Sequence, residues 1–455
     1  MHEETCTMST VIKWNKKWLF FVGIALGFVL FNCVYHTRIG KFSVITPEKS
    51  KYSVWPQFES KSPINNIFFR SECVKAANYS LTGLSDIKTQ WARAQHPLCQ
   101  KYYNKFTSIF TLKTRKATLS IPEGFRSKVR GWLANNEDLY QEIFVQDIIH
   151  IISEFTREHT VFNPLRDKRP IQPPDQSQSE YFDELLKATA KTCDFCNFTH
   201  FTAEHTFGRV QSKHAFTASN IFKIDTLHAV VAMKQHDPLH WSLEEFVDLF
   251  RLTETWIKKA NSHYPQARYP ALIWDILPKC GASQVHPHLQ LVLDFERYHG
   301  EIEAWRRGAQ EYYSLHNSNY FTDLVAVYSA LNLTVTYGSA VAFASLVPKR
   351  DHEMVIMARE PSTDFYTLLF AVLRAFIDDF HKMCYSMGMA YPAVDTPEGK
   401  LPIYARVITR GFVTDIRSDI SSFEMFLATN VNIDPYKTID VVRSSVNQRL
   451  KNMNL

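Results

Sequence analysis

The chain has 455 residues, enough for two or three domains. Hydrophobic residues make up 45%, which permits a sizeable core and excludes global disorder. A net charge of +5 without a dense Lys/Arg stripe argues against nucleic-acid binding, 14 Gly argue against a glycine-rich nucleotide fold, and eight cysteines are too sparse for a disulfide-built scaffold.

Residues 1–17 form a short polar tail with Lys13, Lys16 and Lys17 near its end. Residues 18–35 then run without a charge, and as a helix they would span roughly 27 Å, enough for a bilayer core. Trp14, Trp18 and Tyr35 flank this run like interface aromatics. A cleaved signal peptide is the rival reading, but the apolar run is long for one and no small-x-small cleavage site follows. The expectation is a signal anchor with the tail inside: a single-pass type II membrane protein of the endoplasmic reticulum or Golgi with a lumenal catalytic part. Residues 36–65, rich in Ser, Lys and Pro, read as a stalk. Residues 66–155 read as a mostly helical subdomain, with apolar residues of 139–152 at helical spacing. Cys73 and Cys99 could pair if this region is lumenal. Of the sequons at Asn78, Asn197 and Asn332, Asn78 is the fair glycan candidate, since Asn197 abuts Cys196.

The block 156–305 carries the chemistry. It opens with Phe162-Asn163-Pro164-Leu165, passes a proline-rich loop, and reaches a C-x-x-C pair at Cys193 and Cys196. A strand-like run, 228–234, ends just before His236. An amphipathic helix over 242–260 follows, with Ser242 as its cap and Glu245 at the capping-box position. A strand at 271–276 leads into the stretch 281–293. Read as a strand, that stretch puts His286, His288 and Gln290 on one face. The block 306–445 repeats the order: 352–357 resembles 228–233 at an offset of 124, a helix follows over 364–383, and the strand 403–408 has no paired histidines. We read an internal duplication with one active half, followed by a tail at 446–455.

Cys193, Cys196, His236 and His286 offer two sulfurs and two imidazoles, a donor set that suits tetrahedral zinc. The plain alternative is a reduced thiol pair with unrelated histidines. A neutral His288 could attack phosphorus and split one displacement into two, with Gln290 holding a phosphoryl oxygen. Ser283 and the backbone near Gly281 could bind a second phosphate. An isolated H-x-H is more often a core or surface pair, but this one follows Gly281-Ala282-Ser283-Gln284 and a C-x-x-C. The chain has no Asp-x-Asp, which disfavours a Golgi glycosyltransferase.

The His286-Pro287-His288-x-Gln290 motif resembles the active-site motif of the galactose-1-phosphate uridylyltransferase branch of the histidine-triad superfamily. Gly281-Ala282-Ser283-Gln284 is also similar to a run in diadenosine tetraphosphate phosphorylases. Asn163-Pro164-Leu165, Lys168-Arg169-Pro170 and Tyr385-Ser386-Met387-Gly388 resemble further transferase signatures, so the likeness covers about residues 160–440. It implies an α+β fold of two tandem histidine-triad-like halves with antiparallel sheets. It implies nucleotidyl transfer through His288, phosphate contacts from Gln290 and Ser283 with Gln284 beside them, and Asn220 near the nucleoside. It also implies one structural zinc at Cys193, Cys196, His236 and His286. The expected substrates are a nucleotide sugar or dinucleotide and a phosphate-bearing acceptor. Phosphorolysis or hydrolysis by the same histidine is the alternative, and a non-catalytic zinc-stabilised scaffold a further one. The chain departs from the transferases at Asn220-Ile221, where they often carry Asn-Asp, and at Tyr404-Ala405-Arg406, where a His-x-His pair serves a second metal. That second site is expected to be absent. Galactose-1-phosphate is not implied as acceptor. One active site per chain is expected, which contacts in a homodimer could complete.

Overall fold

The computed structural model describes residues 51–170, 176–415 and 420–453. β-Branched and aromatic runs there build thirteen strands among the described residues: β1 (Phe110–Thr118), β2 (Val145–Ser153), β3 (His159–Phe162), β4 (Ala215–Ser219), β5 (His228–Met233), β6 (Tyr269–Asp275), β7 (His288–Asp294), β8 (Thr334–Tyr337), β9 (Ala340–Ala344), β10 (Met354–Ala358), β11 (Tyr385–Ala390), β12 (Ile403–Thr409) and β13 (Ala428–Val431). All belong to the compact unit Tyr52–Leu455.

Nine of these strands form one antiparallel sheet in the order β4-β5-β7-β6-β11-β12-β10-β9-β8. From its outer side to the centre, the first block runs β4-β5-β7-β6 and the second, beyond the edge strand β8, runs β9-β10-β12-β11. The two meet where β6 pairs with β11, from Ala271 opposite Ala390 to Asp275 opposite Ser386. The blocks therefore share one continuous antiparallel sheet. The helix Leu243–His263 follows β5 and Thr363–Arg374 follows β10, and both pack on one face of the sheet. Ser242 caps the first through the expected capping box with Glu245. Phe250 stacks on Tyr366 at 5.0 Å between ring centres, and Phe246 meets Phe370 at 5.6 Å. Trp256 and Trp274 are fully buried in the same core. Each such side chain stabilises the fold by ~1.5–3 kcal/mol through area removed from water. The opposite face stays partly open: Ile273, in the central strand β6, is 43% exposed.

The second sheet, β1-β2-β3-β13, is smaller, and its β3–β13 pair is parallel. Its β2 corrects the helical reading of 139–152: a short helix, Glu137–Glu142, stops there and Val145–Ser153 is a strand. Ile148, Ile149, Ile151 and Ile152 pair along β1, and a β-branched run fits that ladder better than a helix. The reading of 36–65 as a stalk is corrected for its described part. Tyr52, Trp55, Phe58 and Ile64 are buried, Trp55 Nε1 donates to Lys400 O at 3.0 Å, and Asn319 Nδ2 donates to Pro56 O at 2.7 Å. These anchors make 52–58 a strap on the surface of the fold.

The segment read as an anchor, 18–35, lies outside the described residues. Among the described residues no helix is long and apolar enough to cross a membrane. The expectation of a single-pass type II membrane protein of the endoplasmic reticulum or Golgi is corrected by this finding. Cys73 and Cys99 do form a disulfide, with Cα atoms 5.5 Å apart. A second disulfide, unforeseen in the sequence, joins Cys280 to Cys384, 104 residues on.

Candidate functional site

The C-x-x-C pair sits on a single 3₁₀ turn, Asp194–Asn197, which brings both sulfurs to one side. His236 lies just beyond β5 and His286 just before β7, and β5 pairs with β7, so the two histidines converge on the turn. Cys193 Sγ lies 3.4 Å from His286 Nδ1, Cys196 Sγ 3.4 Å from His236 Nδ1 and 3.6 Å from His286 Nδ1, and the two Nδ1 atoms are 3.4 Å apart. A tetrahedron built on Zn–S and Zn–N bonds of ordinary length has S–N and N–N edges of roughly 3.3–3.6 Å. The donor atoms are thus spaced as a tetrahedral ion requires, all within 4.8 Å of one another. The tautomers agree. His286 Nε2–H donates to Met233 O at 2.6 Å, leaving Nδ1 as the lone-pair nitrogen. Thr189 Oγ1 lies 3.2 Å from His236 Nε2 and occupies the outer side of that ring. Burial, and then Cys193, push the Cys196 thiol up to about 11, so two adjacent thiolates need a cation between them.

The strand reading of 281–293 needs one correction. β7 begins at His288, and 281–287 form turns. Gly281 has φ +107°, a left-handed conformation that glycine adopts without strain, and ends the turn Pro278–Cys280. His286 therefore leaves the face it was expected to share, and faces the cysteines. His288 and Gln290 remain on one face. Their row crosses the sheet: Gln290 pairs with Ile273, Ile273 with Gly388, and Gly388 with Arg406.

His288 is 7% exposed, and its Nδ1–H donates to His286 O at 2.7 Å. That bond assigns the lone pair to Nε2, which has no hydrogen-bond partner among the described residues. Burial lowers the His288 pKa below the usual histidine value and keeps the ring neutral, against smaller opposing pulls from the His286 carbonyl and then Asp275. Phe195, between the two cysteines, meets the ring edge-on at 5.2 Å. Beside it opens a cavity of about 410 Å³, lined by His288, Gln290, Ser283, Gln284 and Asn220 among others. All five predicted reactive and binding residues are thus brought to one space. Asn220 Oδ1 accepts the Phe222 N–H at 3.0 Å.

Sequence reasoning missed a second layer behind these residues. Ser386 Oγ donates to Asp275 Oδ1 at 2.5 Å, and Arg410 Nη1 donates to Ser386 Oγ at 2.9 Å and to Cys280 O at 3.1 Å. This network ties the Gly281–Gln284 turn to β11 and β12; only the sheet order makes it visible. His228 was read only as the head of a strand, yet its Nε2 lies 3.1 Å from Gln290 Oε1. At Tyr404-Ala405-Arg406, the Arg406 guanidinium is buried among carboxylates: Glu353 at 2.7 Å, Glu158 at 2.7 Å and Glu301 at 3.6 Å.

No family model and no curated protein sequence matches the chain. Solved structures do match in fold. An ADP-glucose phosphorylase from Arabidopsis thaliana, with bound ADP-glucose, superposes with a TM-score of 0.52 at 14% identity, over 65% of this chain and 98% of that one. A GalT-like protein from the same plant gives 0.46 at 14% identity, over 56% and 92%. A uridylyltransferase gives 0.46 at 15% identity, over 66% and 99%. The first likeness establishes the shared fold, and it agrees with the resemblance carried by His286, His288 and Gln290.

Proposed function

We propose that this protein is a nucleotidyltransferase that passes a nucleoside monophosphate through His288. The donor is a nucleotide sugar or dinucleotide, and the acceptor bears a phosphate. The observation that carries this reading is His288 itself: a buried, neutral imidazole, its Nδ1–H held by His286 O, set beside a cavity that also contains Gln290, Ser283, Gln284 and Asn220.

In the first step the His288 Nε2 lone pair attacks the α-phosphorus. An N–P bond forms, the P–O bond to the leaving phosphate breaks, and that oxygen leaves with the bonding pair. His288 keeps its Nδ1 proton throughout, and the His286 carbonyl stabilises the positive charge that develops on the ring. Gln290 donates to a phosphoryl oxygen, and Ser283 and Gln284 bind the second phosphate. In the second step an oxygen of the acceptor attacks the same phosphorus and releases Nε2. An amide at 290, unlike an imidazole, neither gives up nor takes a proton near neutral pH and so cannot activate water, which favours transfer over hydrolysis.

Cys193, Cys196, His236 and His286 would hold one zinc ion. Its contribution is structural: bound, it fixes His286, whose carbonyl orients His288. The fold shared with an ADP-glucose phosphorylase supports a nucleotide donor.

The test is incubation with α-³²P-labelled UDP-glucose, ADP-glucose, GDP-glucose and diadenosine tetraphosphate. Acid-labile label is expected on the protein with at least one donor and is expected to vanish in His288→Ala. Label that survives His288→Ala, or none from any donor, would overturn the reading. Product analysis with and without inorganic phosphate and hexose phosphates then assigns the acceptor.

A further inference from the structure

We infer that His228 is the positioning residue that turns the Gln290 carboxamide so that its NH₂ group faces the phosphoryl oxygens. The inference rests on the reading of His288 and Gln290 given above.

His228 opens β5 and is 0% exposed. β5 pairs with β7 so that Val230 stands opposite Gln290 and His228 opposite Val292. His228 is therefore the diagonal neighbour of Gln290 on the same face of the sheet. Its Nδ1 accepts the Ile224 backbone N–H at 3.1 Å. A neutral imidazole has one N–H, so a nitrogen that accepts at Nδ1 leaves the proton on Nε2. Nε2 lies 3.1 Å from Gln290 Oε1, and the hydrogen bond runs from His228 to Gln290. A carboxamide whose oxygen is held in this way can only present its NH₂ group to the cavity.

The other near group does not compete. Asn220 Oδ1 is occupied by the Phe222 N–H, and its Nδ2, 3.4 Å from His228 Nε2, cannot accept a proton. Burial, and to a lesser extent Lys223, lower the His228 pKa below the usual value, while Gln290 and Asp225 pull the other way. The net result is a neutral ring, as the Ile224 contact requires. Without His228, a carboxamide flips at little cost, since its two ends are nearly equal in shape. The flipped amide would point its oxygen at an oxygen of the phosphate and repel it.

Two substitutions separate positioning from packing. Asn at 228 retains an acceptor near the Nδ1 position but does not reach Gln290. Gln at 228 carries an NH₂ group near the Nε2 position. With the donor panel above, His228→Asn is expected to slow labelling of His288 about tenfold, the scale of one hydrogen bond, with half-saturation unchanged. His228→Gln is expected to restore most of that rate, at an unfolding midpoint matching that of wild type. In a Gln290→Ala background, His228→Asn is expected to add nothing. Wild-type labelling by His228→Asn, or full additivity in the double variant, overturns the inference. Should His228→Asn fail to fold, the ¹⁵N shifts of the His228 ring in the wild-type protein still decide it: a proton on Nδ1 overturns the assignment. Unchanged labelling in Gln290→Ala strikes instead at the role of Gln290. No label on the wild-type protein removes the underlying reading, and this inference with it.

Discussion

His286 and His288 are two residues apart and are held by opposite nitrogens. His286 gives its Nε2–H to Met233 O and turns Nδ1 to the cysteines; His288 gives its Nδ1–H to His286 O and keeps the Nε2 lone pair. One backbone carbonyl thus links the proposed metal ligand to the proposed nucleophile. His205 shows what burial does to an imidazole that gains no such partner. Its Nε2 is buried without a hydrogen bond, and the ring stacks on Phe207 at 4.8 Å. Burial, with smaller contributions from Lys223 and His228, pushes its pKa down to about 4. The unfolded chain protonates this histidine near 6.5, the folded one only near 4. Between those values the unfolded state binds more protons, so stability falls as the pH is lowered through that window. His205→Phe should flatten the acid limb of a stability–pH curve, recovering up to about 3 kcal/mol at pH 4. Urea unfolding at pH 7 and pH 4 measures it, and parallel curves for the two proteins would count against this account.

The helix Gly300–His316 depends on one small residue where it crosses the β2–β3 turn. A Cβ on Gly308 would lie 2.3 Å from the Phe155 backbone oxygen, which cannot move as a side chain can. Gly308→Ala should cost about 1–3 kcal/mol, although alanine is the better helix former, because the backbones must separate. Thermal unfolding would show it; a stabilised variant would mean the crossing is slack. The element scale also shows what the sequence makes legible. Ser242 and Glu245 announce the start of their helix, and the 228–233 and 352–357 runs announce β5 and β10, because caps and apolar runs are local signals. The site was legible for the same reason: a turn of four residues and a strand hold most of its donors. The isoleucine-rich run 148–152 misled, since apolar spacing in a short window fits a helix as well as a strand paired on both sides. His228 and Arg410 carried no local signal. Their partners, Gln290 and Cys280, lie 62 and 130 residues away and meet them only through the sheet order.

At the scale of the molecule, one antiparallel sheet of nine strands carries the row of His288 and Gln290 on its open face and a shared aromatic core on the other. The metal group sits beside the first block and joins a turn to two strand ends. Metal analysis should find one zinc per chain, and Cys193→Ser should lose it. Chelation should lower the unfolding midpoint and slow labelling of His288 together, since the ion holds His286. Labelling that persists at the wild-type rate after zinc is removed would separate the two functions. The Cys280–Cys384 bond works at this scale as well. It closes a ring of chain that holds β7, both helices that follow it, β8 to β10 and the helix after them. Tension applied to the two ends of the molecule runs across the bond and bypasses the ring. About 360 Å of contour, 104 residues at ~3.5 Å each, is thereby kept out of any extension until a reductant opens it. His288 and Gln290 lie inside the ring, within ten residues of its lock, so the strand proposed to carry the chemistry is also among the last parts of the chain that pulling can reach.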